Sequence, residues 1–266
     1  MRVLNVEEGL PFDNGEVDVC YASHVLEHLS QGCARALLLE GARVLRRGGV
    51  IRLAVPDLEA VVREYLHVLA QAESGDLAAL KQYEWITLEL LDQLVRVESG
   101  GEMGRYLQSR GHHNAEYVKS RIGSEAEAYF KLEPKEGGRI AEQAAGLSQS
   151  RYLLAVSSTF ISLKRIFQGQ SRWREQVTAW LCGQLLGRRG RLAIQEGLFR
   201  TSGECHRWMY DHFSLKQLLE QCGFTAVRRC TAFESRIERF ASFNLDVVNG
   251  KVRKPDSLFM EAVKPY

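Results

Sequence analysis

The hydrophobic pattern between residues 17 and 57 is the most regular part of this chain. Residues 17–22 and 50–55 are short apolar runs rich in strand-forming side chains. Between them, apolar positions recur at helical spacing after Ser30, a residue type that caps helix N-termini, and Gly48-Gly49 is expected to end the helix. Two buried strands joined by one amphipathic helix predict a right-handed βαβ unit in a mostly parallel sheet.

Polar residues follow both predicted strands and form the first candidate site. Ser23 and His24 end the first strand, and Pro56-Asp57 ends the second. Ligands of open α/β sheets bind beyond the carboxyl ends of the strands, so a substrate contact or a general base is expected here. Asp57 also suits the N-cap of the next helix, and the two roles are compatible.

The pattern changes to a mostly helical one over residues 58–203. One amphipathic helix is predicted from Leu58 to Leu69 and a second from about Leu77 to Glu98, with a break at Ser74-Gly75-Asp76. Weaker helical patterns are expected over residues 116–132, 140–145, 152–167 and 173–186. The arginine-rich residues 188–191 that follow are expected to form a solvated loop. Such an insertion is expected to rise over the ligand edge of the sheet as a lid or substrate-binding subdomain.

The C-terminal segment returns to a regular pattern. Ser214 and Gln217 fit a capping box at the start of a helix, and Gly223 fits the position after its end. Residues 224–233 and 257–263 are predicted to be strands.

A polar and aromatic stretch precedes this last helix. Its His206, Tyr210 and Asp211 suit the tasks of holding a substrate and removing a proton from it. The alternative is that the stretch packs as a loop on the sheet edge.

Composition narrows the class of protein. With 266 residues, 45% of them hydrophobic, the chain can bury a sizeable core in one domain with a large insertion or in two small domains. A net charge of +2 gives no global reason to expect nucleic acid or an anionic membrane as partner. The six cysteines form no C-x-x-C pair, and no apolar run approaches the roughly 20 residues that span a bilayer. A cytoplasmic protein with reduced thiols is therefore expected.

Several sequence motifs carry a resemblance to a known family. LPFDNGEVDVCYASHVLEHL, ARVLRRGG and VIRLAVPDLE resemble the middle of a class I S-adenosylmethionine-dependent methyltransferase of the type 11 family. The resemblance is strongest to a bacterial subgroup often met beside surface-polysaccharide genes, and HRWMYDHFSLKQLLEQCGF and RKPDSLFMEAVKP extend it to the C-terminus.

The resemblance implies an α/β fold with a Rossmann-like methyltransferase sheet that lacks its first strands and carries a large helical insertion. Residues 1–57 would form part of the core, residues 58–203 the insertion, and residues 204–266 the C-terminal part of the core. In the family, a first strand and a glycine-rich turn precede these motifs, but no G-x-G occurs upstream of Val17. The exposed edge of strand 17–22 is then expected to be open, or covered by Met1–Val6 or by a second chain in a homodimer.

The resemblance also implies roles for individual residues. Asn5, Val6 and Glu7 would lie near the adenine of S-adenosylmethionine, unless they are plain strand and loop residues. Ser23 and His24 would border the methionine and sulfonium part of the cofactor. The candidate catalytic residues are those with a side chain able to position the acceptor or take its proton, namely His24, Asp57, His206, Tyr210 and Asp211.

The segment His24–His28 also reads as H-x-x-E-H, the pattern of inverted zinc peptidases. That interpretation requires all five residues on one helix and a third ligand downstream, whereas His24 is predicted at a strand end. We therefore predict no metal, and His28 is expected to be a buried histidine that hydrogen-bonds backbone.

The function predicted from the sequence is transfer of a methyl group from S-adenosylmethionine to an oxygen or nitrogen of a small molecule or saccharide. The alternative is a non-catalytic remnant or binding module that cannot hold the cofactor, because the glycine-rich turn is missing.

Overall fold

The structure is a computed structural model that describes residues 9–109, 111–123, 125–126, 130, 153–157 and 172–266. Its helices are α1 Gln31–Val44, α2 Leu58–Glu73, α3 Leu77–Val95, α4 Gly101–Ser109, α5 Ala115–Ile122, α6 Arg172–Arg200 and α7 His212–Gln221. Its strands are β1 Val17–Ser23, β2 Leu45–Pro56, β3 Leu153–Ser157, β4 Thr225–Cys230, β5 Val247–Val248, β6 Lys251–Val252 and β7 Ser257–Val263.

The predicted βαβ unit is confirmed. β1 and β2 pair in parallel and α1 connects them. Ser30 caps α1, since its side chain accepts a hydrogen bond from the Cys33 N–H at 3.2 Å.

The end of α1 differs from the prediction. The helix stops at Val44, and Leu45 already pairs with Val17 in the sheet, so Gly48-Gly49 does not end it. The glycine pair lies instead at a register shift of β2, where Gly48 has a φ of 74°. A Cβ on Gly49 would lie 2.8 Å from the backbone oxygen of Arg46, so this bulge requires glycine.

The five-stranded sheet has the order β3-β1-β2-β7-β4. β3, β1 and β2 run parallel, whereas β7 pairs antiparallel with both β2 and β4. Both predicted C-terminal strands are therefore confirmed, and they form an antiparallel pair at one edge of the sheet, although β4 is shorter than predicted. The main apolar core lies between the sheet and the helices α1 and α7.

β3 contradicts two expectations. Residues 152–167 were expected to be helical, but Leu153–Ser157 forms a strand parallel to β1. An apolar run this short does not show whether it is a buried strand or a buried helix. The exposed edge of β1 was expected to be open, or covered by Met1–Val6 or a second chain, and residues 153–157 of the same chain cover it instead.

The helices α2 to α5 have apolar clusters separate from the sheet core. Val61 and Val68 of α2 pack with Ile86 of α3, and Trp85 of α3 packs with side chains of α4 and α5. The predicted cap of α2 is confirmed, because the Asp57 side chain accepts from the N–H of Ala60 at 3.2 Å.

α6 carries the arginine run that was expected in a loop. Arg188, Arg189 and Arg191 are exposed as predicted, but they lie within the helical segment, just after a break at Gly187. No helix in the described part of the chain is long and apolar enough to cross a bilayer.

The cap of α7 lies three residues earlier than predicted. The Asp211 side chain accepts from the Ser214 N–H at 2.7 Å, and the Ser214 hydroxyl accepts from the Asp211 N–H at 3.1 Å. Asp and Ser are both preferred N-caps, and here Asp211 takes that role while Ser214 completes the capping box. Gly223 follows the helix with a φ of 88°, as expected.

A buried arginine ties β2 to the C-terminal segment. The fully buried Arg52 donates to Asp246 at 2.7 Å and to Glu261 of β7 at 2.8 Å. Its guanidinium also lies 4.4 Å from the centre of the Phe240 ring. These contacts neutralise two carboxylates that are themselves buried.

Candidate functional site

The site lies at the carboxyl end of β1, where the strand turns sharply. The N–H of His24 donates to the carbonyl of Ala54 at 2.8 Å and so continues the pairing with β2. His24 itself has a φ of 53°, a left-handed conformation that is uncommon for residues other than glycine. This turn directs the chain into the short 3-10 helix Leu26–His28 and leaves His24 only 5% exposed.

The imidazole of His24 is held from both sides. Its Nδ1 lies 3.1 Å from Oε1 of Glu27, and its Nε2 lies 2.9 Å from the hydroxyl of Ser257. A carboxylate only accepts hydrogen bonds, so the ring presents Nδ1 to Glu27, and its Nε2 forms a hydrogen bond with the hydroxyl of Ser257. The result is a carboxylate, imidazole and hydroxyl in sequence, an arrangement suited to moving a proton.

Glu27 is the centre of the site and is fully buried. Its backbone oxygen accepts from the N–H groups of Arg207 at 2.6 Å and Trp208 at 3.2 Å. These bonds attach the segment before α7 to the turn after β1. They bring His206 of that segment to the histidines that follow β1.

His28 and His206 complete the cluster. The Nδ1–H of His28 donates to the backbone oxygen of Cys205 at 3.3 Å, which confirms the expected bond to backbone. His28 Nε2 then faces Glu27 Oε1 at 3.9 Å. The two rings meet edge to face with centroids 4.8 Å apart, and the His206 N–H donates to the backbone oxygen of Gln93 at 2.8 Å.

Burial and mutual charge determine the protonation of this cluster. Burial alone would raise the pKa of Glu27, but contact with His24 and the charges of the neighbouring imidazoles outweigh it and hold the pKa at about 2. Burial lowers the pKa of His206 to about 3 and also lowers the pKa of His28, against the attraction of Glu27. The lowered pKa of Glu27 favours its carboxylate form, and the lowered pKa values of His28 and His206 favour neutral imidazoles.

Tyr210 lies beside this cluster. Its backbone oxygen accepts from the N–H of Leu58 at 3.0 Å, so the residue is fixed against the start of α2. Its hydroxyl is buried and has no hydrogen-bond partner among the described residues. Burial, followed by the charge of Glu27, raises the pKa of this hydroxyl to about 12.

Asp57 and Asp211 serve the helices that they cap. The second carboxylate oxygen of Asp57 accepts from Arg229 at 2.7 Å, so both of its oxygens are engaged. The hydrogen bonds from Ser214 lower the pKa of Asp211 despite partial burial. Catalytic roles for these two aspartates stay predictions.

The predicted cofactor contacts are placed only in part. Ser23 ends β1 between Ala54 of β2 and Ser157 of β3. Asn5, Val6 and Glu7 lie outside the described residues.

Further polar residues near His24 were not among the predicted site residues. The ammonium of Lys254 lies 2.7 Å from a carboxylate oxygen of Glu125, and the charge of Asp256 also interacts with His24. The pKa of Asp256 is raised by burial, which outweighs the positive charges of His24 and Lys254. The sequence signal for this part was the motif RKPDSLFMEAVKP, which contains Lys254 and Asp256 and contributed to the family resemblance.

The geometry defines a polar, buried site at the carboxyl edge of a Rossmann-like α/β sheet, and comparison with known families agrees with that class. Residues 1–53 of the chain match a family described as "Methyltransferase domain". This match supports assignment to the type 11 family of class I S-adenosylmethionine-dependent methyltransferases, whose members use S-adenosylmethionine. It covers 53 of the 266 residues and ends within β2. No curated protein and no solved structure matches the chain.

Proposed function

We propose that the protein transfers a methyl group from S-adenosylmethionine to an oxygen or nitrogen of a small-molecule or saccharide-type acceptor. The observation that carries the proposal is the position of His24. It lies inside the segment that matches the methyltransferase family, at the sheet edge where ligands of such folds bind, and its ring is held between Glu27 and Ser257.

His24 is the proposed base for a hydroxyl acceptor. An acceptor O–H that takes the place of the Ser257 hydroxyl would donate to Nε2 and lose its proton to that nitrogen as the methyl group arrives. Glu27, 3.1 Å from Nδ1, would stabilise the imidazolium that forms. The bound cofactor supplies the electrophilic methyl group.

The described residues fit the acceptor side of this reaction better than the cofactor side. The methionine part of the cofactor needs close approach to a backbone without Cβ atoms. The strand beside β1 is β3, and Ser158-Thr159-Phe160 follow it in the sequence without a glycine. The described residues therefore do not supply a glycine-rich turn for the methionine part of the cofactor. We assign no residue of β3 to hold the cofactor.

The same observation favours a second candidate function. Because β3 lies beside β1 and no glycine directly follows it, the scaffold would be unable to hold the cofactor and would act as a non-catalytic binding module. Its helices α2 to α5 would then carry the interaction.

Calorimetric titration with S-adenosylmethionine separates the two functions. Binding that saturates below about 1 mM supports the enzyme, and a correctly folded chain without binding at that concentration supports the module. The role of His24 as the base is then tested by measuring transfer of a labelled methyl group from S-adenosylmethionine to acceptors in saccharide-containing extracts. We expect His24→Gln to lower transfer roughly 10²–10⁴-fold, and the matched variant His212→Gln, at an exposed histidine, to leave it unchanged. Equal transfer by both variants would exclude His24 as the base.

A further inference from the structure

Three potential metal ligands, Glu27, His28 and His206, meet next to the turn that follows β1. Glu27 and His28 follow β1, and His206 precedes α7, so two distant segments supply the set. Their ligand atoms all lie within 4.8 Å of one another. Glu27 is fully buried, and the side chains of His206 and His28 are buried or nearly so.

The carboxylate of Glu27 provides a second, independent observation. Both of its oxygens are buried. Oε1 lies 3.1 Å from Nδ1 of His24 without the geometry of a good hydrogen bond, and Oε2 has no hydrogen-bond partner within the described part of the chain. A charged carboxylate removed from water without full compensation is costly, so a buried carboxylate of this kind indicates a bound cation.

The orientation of His28 fits a ligand. Because its Nδ1–H donates to the carbonyl of Cys205, the lone pair of Nε2 points toward Glu27. Histidine ligands of metals commonly donate their second ring N–H to a carbonyl or carboxylate in this way, which fixes the tautomer.

Backbone hydrogen bonds hold the three residues in place. The N–H groups of Arg207 and Trp208 both donate to the Glu27 carbonyl, and the His206 N–H donates to Gln93. The side chains are therefore brought together by the fold itself.

We propose that Glu27, His28 and His206 bind a divalent transition-metal ion, for which Zn²⁺ suits the donor set best. Two imidazole nitrogens and one carboxylate oxygen are ligands typical of zinc, whereas Ca²⁺ and Mg²⁺ prefer oxygen alone. A tetrahedral ion with bonds of about 2.0–2.1 Å separates its ligand atoms by roughly 3.3 Å, so the side chains must close in by rotation. Three protein ligands leave a fourth position open for water or substrate.

This proposal does not rest on methyl transfer, and it departs from the prediction that the chain binds no metal. The H-x-x-E-H interpretation sought all ligands on one helix. Here His24 contacts Glu27 instead of the ion, and the third ligand comes from His206 in a different segment.

The test uses the full chain, stripped with a chelator and titrated with Co²⁺, whose visible spectrum reports geometry and ligand type. We expect one equivalent to bind with the spectrum of a four-coordinate nitrogen and oxygen site, and Zn²⁺ to displace it. His206→Ala and Glu27→Gln should each weaken Co²⁺ binding by more than the roughly 10–100-fold that loss of an outer-shell contact costs. The matched controls His212→Ala and Glu59→Gln alter an exposed histidine and its carboxylate partner, and should leave binding unchanged.

A spectroscopic test distinguishes loss of a metal ligand from loss of binding through unfolding. His206→Cys should still bind Co²⁺ and add a thiolate charge-transfer band in the near ultraviolet, because residue 206 would be a ligand. Failure of the wild-type chain to bind Co²⁺, a thiolate band already in the wild type, or equal binding by the site variants and the controls would each overturn the proposal. So would a His206→Cys chain that stays folded and shows no thiolate band.

Discussion

Replacement of Arg52 by Met tests how far one buried side chain holds the C-terminal segment to the sheet. Met has a similar length and no charge, so the variant removes the ion pairs with Asp246 and Glu261 while it fills much of the same volume. It also removes the cation that lies over the ring of Phe240.

The expected loss of stability at neutral pH is large. Removal of one partner from a buried ion pair costs about 3–5 kcal/mol, because the other charge stays buried without compensation. Here two almost fully buried carboxylates lose this partner, although Glu261 keeps Arg228 at 3.0 Å and Asp246 keeps the Tyr21 hydroxyl at 2.6 Å. Loss of the contact with Phe240 adds roughly 1 kcal/mol. Against this, the Met side chain recovers some packing, so we expect a net cost of about 4 kcal/mol.

The pH dependence gives the sharper test. Burial raises the pKa of Glu261, but hydrogen bonds from Ser235, the Arg236 backbone, Arg228 and Arg52 outweigh it, and the pKa lies below its ordinary value of 4.5. In the wild type, Glu261 therefore contributes stability that is present above pH 4.5 and is lost as the pH falls through the folded pKa. Without Arg52 the pKa of Glu261 rises, so protonation relieves the buried charge. The difference in stability between wild type and variant should shrink as the pH falls from about 7 toward 4.

Urea unfolding followed by circular dichroism at several pH values measures these differences. Arg46→Met is the matched control, because Arg46 pairs with Asp18 at an exposed position, where such pairs contribute about 1 kcal/mol or less. Adding Glu261→Met to Arg52→Met should restore part of the lost stability. A cost for Arg52→Met no larger than that of Arg46→Met, or one that does not change with pH, would refute the reasoning.

Three further substitutions have outcomes fixed by local geometry. Gly123→Ala should destabilise by about 1–3 kcal/mol in thermal unfolding, since φ is 59° and the new Cβ would lie 2.7 Å from the Arg253 oxygen. Asp211→Ala should cost about 1 kcal/mol of unfolding free energy through loss of the capping box of α7. Arg121→Met should raise the pKa of Glu89, which burial already raises and Arg121 opposes, and carboxyl titration by NMR measures that shift.

Matched variants control these three experiments. Gly32→Ala adds a Cβ in α1 where nothing lies within 4 Å, so no loss of stability is expected. Glu220→Ala lies at the opposite end of α7 from Asp211, at an exposed pair with Lys216. Arg105→Met removes an exposed arginine instead of Arg121. Equal effects of each variant and its control would contradict the structural explanation.

The sequence predicted those parts of the fold whose signals are local. The unit from β1 to β2, the cap at Asp57 and the strand Ser257–Val263 each follow from the spacing of apolar residues or from a residue type at an element end. The end of α1 at Val44 was missed because Gly-Gly signals both a helix end and a bulge. The pairing of Leu45 with Val17 ends the helix before the glycines.

The parts that were missed depend on residues far apart in the chain. β3 is a five-residue apolar run whose partner is β1, and no local pattern identifies that partner. The site was predicted at His24 and His206, but nothing in the sequence placed His206 beside Glu27 and His28. That contact arises from backbone hydrogen bonds to the Glu27 carbonyl, which carry no side-chain signal.

The pairing of β3 with β1 also sets the order in which the sheet can form. Val19 pairs with Val50 of β2, which is close in the sequence and can pair early. Its other partner, Leu153 of β3, lies 134 positions further along the chain. Closing a loop of that length costs entropy before the strand contributes any contact, so this pairing is expected late in folding. Until then β1 is an unpaired edge with free backbone groups, and a nascent chain that stops short of residue 153 would expose it to aggregation.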